Sequence, residues 1–328
     1  MSDIPAPPRP APRTLLVASA GGHLTQLHRL RERLGVTAPL WATYGVPQAE
    51  ELLAGEQVLH AHHPTTKHLG NAVRNYLLAR RVLATYHVER VISTGAAISV
   101  PFVLRARQLG IPSYYLESAT RVDGPSLSGR MLERLPGIQR YRQLGDWGGT
   151  RWRQGPSVFD GFHLDASPEA VRPIRRVVVS LGTHRYPFST LLARLAPLLA
   201  RLDAEVLWQL GSTPAPPGLP GEHVTTLPPD ELRSAIAAAD VVVGHAGVGL
   251  TLTALSAGTV PVLIPRRRSR HEHTDDHQVQ LARELERQGL AVATEVGGLS
   301  GEHLERAAGL LVREDEPPPF DLAALERR

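Results

Sequence analysis

Short apolar runs alternate along the first half of the chain with stretches of helical spacing. The runs that have the length and composition of buried strands lie at residues 14–18, 40–43, 90–93 and 113–116. The stretches with helical spacing lie at about residues 24–30, 71–86 and 100–110. Strands and helices that alternate at these lengths predict a parallel sheet covered by helices on both faces.

The second half of the chain repeats this alternation. Its apolar runs lie at residues 176–179, 204–208, 240–243 and 260–264. Its helical stretches lie near residues 191–202, 230–239, 250–257 and 276–288. The fold class that we expect is therefore α/β, with two Rossmann-like, doubly wound domains in tandem that face each other across a cleft.

Changes in composition predict where these domains begin and end. We expect a disordered proline-rich tail, a first domain, a linker with little periodicity, a second domain, and a C-terminal tail or short helix, at residues 1–13, 14–160, 161–173, 174–315 and 316–328. Ligands of doubly wound domains bind at the carboxyl ends of the strands. The functional site should therefore lie in the cleft between the two domains.

Composition narrows the class of protein. The chain has no cysteine, which excludes thiol chemistry and fits a reducing, cytoplasmic location. Its net charge of +4 comes almost wholly from arginine, because Lys67 is the only lysine, and such a surface attracts phosphates or an anionic membrane face. With no zinc-finger spacing or RNA-stacking aromatic pattern, we expect no nucleic-acid partner. The sequence offers no signal peptide or spanning segment, so any membrane contact should be peripheral.

A glycine turn follows the predicted strand at residues 240–243 and leads into a helix. It contains His245, Ala246, Gly247, Val248 and Gly249. Glycines there allow backbone N–H groups to approach a diphosphate, and a helix N-terminus adds a positive dipole. The glycine order matches neither the dinucleotide fingerprint nor a Walker loop, so a purely structural strand-to-helix turn remains an alternative.

A polar loop at residues 266–278 should lie on the same edge of the second sheet. Arg266 could balance phosphate charge, and the acidic and amide side chains at the start of the next helix could bind sugar hydroxyls; these are Asp275, Asp276, His277 and Gln278. Three histidines and three acids crowd this loop, so a metal site is one alternative, although no recognised zinc spacing is present. A solvated charged loop is the other. We expect no metal.

The first domain carries a similar turn after its first strand. Gly21 and Gly22 precede His23, which is placed to take a proton from an attacking hydroxyl or to bind a phosphate at neutral pH. Glu117, at the end of the strand at residues 113–116, is a second candidate base, or else a structural carboxylate that accepts loop N–H groups. Thr94, Gly95, Ser118 and Arg121 complete the acceptor-binding residues that we expect on this edge.

The second half resembles the C-terminal domain of MurG-like glycosyltransferases, and most closely Alg13 and related bacterial exopolysaccharide proteins. The motifs that carry this resemblance are LGTHRYPF at residues 181–188, HAGVG at 245–249 and DDHQ at 275–278. The resemblance implies the GT-B glycosyltransferase fold and adds Gly182, Thr183, His184 and Gln209 to the expected donor site. Relatives place a ribose-binding glutamate where this chain has Thr253, so we expect a rearranged ribose contact there.

The first half resembles Alg14, the partner that binds the lipid-linked acceptor. Its motifs are SAGGHL at residues 19–24, STGA at 93–96, YLESATR at 115–121 and SLSGR at 126–130. The chain therefore resembles a natural fusion of two partners that are often separate polypeptides. Residues 73–83 mix apolar and arginine positions, which is typical of an interfacial helix on an anionic membrane and equally of a helix with a solvated arginine face.

Together these resemblances imply an inverting, metal-independent hexosyltransferase with no cofactor. It would move a sugar from a UDP-sugar to a lipid-linked saccharide acceptor, polyprenyl-diphosphate-linked in relatives, for cell-surface polysaccharide or glycolipid synthesis, at the inner face of the plasma membrane. Two alternatives stay open from the sequence: a UDP-sugar epimerase on the same fold and a non-catalytic membrane scaffold.

Overall fold

The computed structural model describes residues 13–63, 68–165, 173–183 and 185–322. The first domain contains strands β1 (Thr14–Ala18), β2 (Leu40–Thr43), β3 (Gln57–His60), β4 (Arg90–Gly95), β5 (Ser113–Leu116), β6 (Ile138–Arg142) and β7 (Arg153–Gln154). Its helices are α1 (Gly22–Leu30), α2 (Pro47–Leu52), α3 (Leu69–Thr85), α4 (Ser99–Gln108) and α5 (Leu127–Glu133).

These strands pair in parallel in the order β3-β2-β1-β4-β5-β6-β7. Every residue of β1 is buried, because helices cover both faces of the sheet. The strand order reverses between β1 and β4, which opens a crevice at their carboxyl ends. The predicted strands and helices of this half are confirmed, whereas α2, β3, α5, β6 and β7 were not predicted. Each of these is short, and several are partly exposed, so their apolar periodicity is weak.

A strand lies inside the predicted linker. Strand β8 (Phe162–Leu164) pairs antiparallel with β15 (Val312–Glu314), which comes late in the chain. The linker predicted at residues 161–173 therefore contains a strand, and residues 162–164 pair with the end of the second domain. Residues 1–12 of the predicted tail and residues 166–172 of the linker lie outside the described residues.

The second domain repeats the doubly wound topology. Its strands are β9 (Arg176–Ser180), β10 (Glu205–Gln209), β11 (Glu222–Val224), β12 (Val241–His245), β13 (Val262–Ile264) and β14 (Val292–Ala293). They pair in parallel in the order β11-β10-β9-β12-β13-β14, so the order reverses between β9 and β12. Its helices are α6 (Ser189–Leu199), α7 (Pro229–Ala237), α8 (Val248–Ser256), α9 (His277–Arg287) and α10 (Gly301–Ala308).

The two domains share a packed interface. Helix α1 packs against α8, and one continuous apolar core includes Leu27, Val158 and Leu255. The chain end then returns to the first domain, where the Phe320 N–H donates to the Arg33 carbonyl at 2.8 Å and the Phe320 ring meets Tyr141. Residues 320–322 form no helix, and residues 323–328 of the predicted C-terminal helix lie outside the described residues. Within the described residues, no helix combines the length and the hydrophobicity needed to cross a membrane.

Candidate active site

The two glycine turns predicted from the sequence occupy equivalent places in the two domains. Residues 19–23 follow β1 and start α1, next to the end of β4. Residues 245–249 follow β12 and start α8, next to the end of β9. Both turns therefore lie at the crevice where strand order reverses, and neither helix start has a side-chain cap.

His23 is held by the neighbouring strand. Its Nδ1 lies 2.8 Å from the Thr94 carbonyl oxygen, and the Thr94 hydroxyl donates back to the His23 carbonyl at 2.7 Å. A carbonyl only accepts, so Nδ1 carries the proton and Nε2 is left as the proton acceptor. Burial lowers the pKa of His23 below its ordinary value of 6.5, with a further contribution from the charge of Arg121. The imidazole is therefore neutral at neutral pH.

Glycines give this histidine its space. Gly95 has φ of +109°, and a Cβ there would lie 3.0 Å from the Tyr115 hydroxyl and 3.4 Å from the His23 ring. Gly21 also has a positive φ, of +85°, and neither Gly21 nor Gly22 has an atom within 4 Å of a built Cβ. The acceptor-side turn is thus open beside the histidine.

The structure assigns Glu117 and Ser118 to the interior. The Glu117 side chain is fully buried, and its carboxylate accepts from Ser118 N, Ser126 N and the Ser126 hydroxyl. Ser126 in turn caps α5. Burial raises the pKa of Glu117, yet its oxygens are already engaged. Ser118 is likewise buried and accepts from Gln26. These contacts favour the structural interpretation of Glu117 over the second catalytic base.

In the second domain, His245 lies between glycines. A Cβ on Gly182 would come within 2.6 Å of the His245 ring, and a Cβ on Gly247 within 2.3 Å. Gly182 also has φ of +76°. Because these two glycines have no side chains, there is room for the imidazole at the start of the turn. Ala246 and Val248 are buried, so only their backbone groups remain available to a ligand.

The start of α8 is the open part of this turn. Gly249 has no atom within 4 Å of a built Cβ, and Thr183, after β9, is exposed. The Thr253 hydroxyl donates to the Gly249 carbonyl at 3.0 Å within the helix, so it is already engaged where a ribose contact was expected. His184 lies outside the described residues.

Three expected donor-binding side chains are structural instead. Arg266 is 1% exposed, and its guanidinium donates to the backbone carbonyls of Leu181, Tyr186, Pro187 and Glu272. Burial lowers its pKa to about 10. Gln278 accepts from the Arg266 N–H at 3.0 Å, and Gln209 bridges the Ser180 hydroxyl and the Leu227 N–H. The expectation that Arg266 balances phosphate charge is not supported, because its guanidinium holds the loops together.

The remaining polar loop reaches across the cleft. Asp275 Oδ2 accepts from Arg121 of the first domain at 2.8 Å, and Asp275 Oδ1 accepts from His277. Asp276 accepts from the Arg268 N–H at 3.0 Å. Although burial raises the pKa of Asp275, hydrogen bonds from His273 and His277 hold it well below its ordinary range. Burial lowers the pKa of His277 despite its acidic partner, and His277 lies close enough to His23 to influence it.

His273 belongs to this loop but was not among the site residues predicted from the sequence. Its Nδ1 lies 3.3 Å from Asp275 Oδ1, so two imidazoles share one carboxylate oxygen. The sequence signal was the crowding of histidines and acids. The loop conformation turns His273 and His277 toward Asp275 and leaves His271 exposed, which the sequence alone could not show.

The comparisons with known proteins agree with this architecture. Residues 201–317 match the glycosyltransferase family 28 C-terminal domain. The chain is 26% identical, over 96% of its length and 93% of the relative's, to the UDP-N-acetylglucosamine--N-acetylmuramyl-(pentapeptide) pyrophosphoryl-undecaprenol N-acetylglucosamine transferase of Cupriavidus necator.

Solved structures share the fold at low sequence identity. Acinetobacter baumannii MurG has a TM-score of 0.56 at 18% identity, covering 90% of this chain and 89% of that chain. The glycosyltransferase SnogD from Streptomyces nogalater has a TM-score of 0.59 at 19% identity, covering 91% of both chains. A UDP co-structure of Staphylococcus aureus MnaA has a TM-score of 0.55 at 9% identity, covering 91% of this chain and 94% of that chain.

The predicted fold class is confirmed: the chain has the GT-B fold, with two Rossmann-like domains. The domain match over residues 201–317 and the Cupriavidus relative support glycosyltransferase activity.

Proposed function

We infer that this glycosyltransferase moves a sugar, with inversion, from a UDP-sugar to a saccharide acceptor carried on a polyprenyl diphosphate. The observation that carries the proposal is that each domain has a glycine turn at the point where its strand order reverses. One turn holds an oriented neutral histidine, and the other begins a helix without a side-chain cap. The Arg121–Asp275 ion pair brings the edges that bear these turns together.

His23 is the base in this proposal. The acceptor hydroxyl gives its proton to Nε2 of His23 while its oxygen forms a bond to the anomeric carbon. The bond from that carbon to the diphosphate oxygen breaks, and the diphosphate leaves with the electron pair. Attack from the first domain, opposite a leaving group bound to the second, inverts the anomeric centre.

The second domain holds the leaving diphosphate. The first-turn N–H groups of α8, at Val248 and Gly249, are the donors placed to meet its developing charge. UDP is supported by the printed donor of the Cupriavidus relative and by the UDP bound to MnaA. The Thr253 hydroxyl donates to its own helix, so only its lone pairs remain for the rearranged ribose contact.

The Alg14-like half supplies the acceptor side, and the chain acts as a fused Alg14/Alg13-type enzyme. Residues that orient His23, namely Thr94 and Gly95, and the charged Arg121 line this side. The acceptor class is supported by the lipid-linked pyrophosphoryl acceptor in the relative's name.

Peripheral contact with an anionic membrane at the cytoplasmic face is part of the proposal. On α3, Leu69, Val73 and Leu77 recur every fourth residue, and all are exposed, Leu69 at 86%. Helix α3 packs on α4, and α4 on α5, where Leu127 and Met131 are also exposed. Exposed apolar side chains at successive turns of one helix, with arginines on the same helix, are typical of a membrane-contact surface.

The membrane contact is tested by vesicle flotation. The wild-type chain should float with vesicles that contain anionic lipid and remain behind with zwitterionic ones. Replacing Leu69, Val73 and Leu77 with glutamine should abolish flotation without changing the unfolding temperature. Flotation equal to that of the wild-type chain would remove this surface from the proposal.

The activity is tested with a panel of UDP-sugars and a polyprenyl-diphosphate-linked saccharide, read by the mass shift of the acceptor. One UDP-sugar should add one glycosyl unit. An isomerised donor in the absence of acceptor would identify an epimerase instead. Thermal stabilisation by UDP, absent with unrelated nucleotides, separates an enzyme from a scaffold that binds no nucleotide.

A further inference from the structure

Three potential ligand groups converge in the loop between β13 and α9. The Nδ1 atoms of His273 and His277 both face Asp275 Oδ1, at 3.3 Å for His273 and closer for His277. The ligand atoms of the three residues all lie within 4.8 Å of one another. The two rings stand nearly perpendicular, at 89°, with centroids 4.6 Å apart. Three donor atoms thus point at one small volume.

The loop is fixed on both sides of this cluster. Glu272, just before it, is buried and accepts from the Arg267 N–H at 2.9 Å. Asp276 accepts from the Arg268 N–H, and His277 is the first residue of α9. The side chains of His273 and His277 are only 11% and 15% exposed. The arrangement is therefore pre-organised rather than a chance approach of long, mobile side chains.

A charged partner orients the carboxylate. Arg121 of the first domain holds Asp275 Oδ2 at 2.8 Å, which leaves Oδ1 turned to the two imidazoles. Hydrogen bonds from neighbouring groups that fix a ligating carboxylate are a regular feature of metal sites. The protein thus supplies both the ligands and the group that orients one of them.

We propose that His273, Asp275 and His277 bind a divalent transition-metal ion of the zinc class. Two imidazole nitrogens and one carboxylate oxygen are a donor set that zinc accepts, with a further position left for water. Zinc ligands at bond lengths of 2.0–2.1 Å in a tetrahedron lie about 3.3 Å apart, which the His273–Asp275 pair matches, whereas His277 lies closer to Asp275 and has to move back by a small rotation of its side chain. Magnesium prefers oxygen ligands and does not suit this set.

The bound ion would coordinate His277, a side chain of the loop that is expected to bind the donor. The sequence places His277 among the residues expected to bind the donor sugar, so on the proposed function bound zinc should compete with the UDP-sugar and raise its KM. This consequence rests on the proposed function, whereas the binding of the ion does not. Binding is therefore measured first, with neither donor nor acceptor present.

The test uses the full chain, without a polyhistidine tag, stripped of metal by a chelator. Zn²⁺ is titrated in competition with a chromophoric chelator, and Co²⁺ is added separately to record visible absorption bands from nitrogen and oxygen ligands. We expect one equivalent of Zn²⁺ to bind, and Mg²⁺ in excess not to displace it. Substitution of His273 by Ala or of Asp275 by Asn should weaken binding by at least tenfold.

The matched control is His271→Asn in the same loop. His271 is exposed and has φ of +57°, a conformation that asparagine tolerates. This variant should bind zinc like the wild-type chain, and both His271→Asn and His273→Ala should unfold at the wild-type temperature when free of metal. No saturable zinc binding, or equal binding by His273→Ala and His271→Asn, would overturn the site. Stoichiometric binding with an unchanged donor KM would overturn the competition alone.

Discussion

The two domains place a histidine at the same topological point and use it differently. After β1, His23 is bonded through Nδ1 to the neighbouring strand, and the glycines beside it leave open space. After β12, His245 lies against Gly182 and Gly247, which would clash with it if either carried a side chain. The first histidine is oriented with one nitrogen left to accept a proton, and the second is enclosed within the turn that it helps to shape.

This difference teaches how one topology supports two roles. A crevice where strand order reverses is only a place for a ligand, and the side chains around it decide the chemistry. On the proposed function, the first domain presents a base at its crevice, and the second presents backbone donors. Replacing corresponding residues in the two turns should therefore produce different kinetic defects.

The largest expected effect follows from His23→Ala. Loss of a general base lowers turnover by about 10²–10⁴-fold, so kcat should fall by that range while UDP affinity stays near the wild-type value. His245→Ala should change UDP affinity more than kcat. Steady-state kinetics and UDP calorimetry measure both. Similar kcat values for His23→Ala and the wild-type chain would contradict the different roles proposed for the two turns.

The next effect concerns the glycines around His245. Gly182→Ala and Gly247→Ala should weaken UDP binding and lower stability by about 1–3 kcal/mol, because the new methyl group meets the His245 ring and Gly182 has a positive φ. Gly301→Ala, which meets nothing within 4 Å, is the matched control. Thermal unfolding and UDP titration give the comparison, and equal behaviour of all three variants would contradict it.

The pH profile sharpens the assignment of the base. A base acts in its neutral form, and burial lowers the pKa of His23, so kcat/KM should be level at neutral pH and fall only below pH 6.5. Arg121 and His277 contribute to this lowering through their charge. The decrease in kcat/KM at low pH should remain in His277→Gln and should be absent from the residual activity of His23→Ala. A decrease that persists without His23 would belong to another group.

The smallest effect is expected at the contact between the two domains. The Arg121–Asp275 pair is partly exposed, and such pairs contribute less than about 1 kcal/mol. Arg121→Gln, which leaves the contacts of Asp275 with His273 and His277 in place, should therefore lower the unfolding temperature only slightly, and the difference from the wild-type chain should shrink in high salt. Differential scanning calorimetry at two salt concentrations measures this. A salt-independent loss of several kcal/mol would point to a packing role instead.

Much of the fold was predictable from the sequence. The short apolar runs of β1, β9 and β12 identify these strands from local sequence alone, without knowledge of their neighbours in the sheet. The helices between them imply parallel sheets. The positions of His23 and His245 at strand ends followed from that pattern. Short edge elements such as β3 and β7 were missed because they bury too little to show periodicity.

The roles of the polar side chains were decided by the tertiary structure. Arg266 and Gln278 were candidate ligand-binding groups in the sequence and Glu117 a candidate base, but each is buried and hydrogen-bonded to groups elsewhere in the chain, such as the Leu181 carbonyl for Arg266. A buried polar group must find a hydrogen-bond partner, and that partner is known only when the chain is folded. The sequence thus predicted the two sheet edges that carry the candidate site. Long-range contacts determined which side chains remain free to act there, because hydrogen-bond satisfaction depends on distance in space rather than distance along the chain.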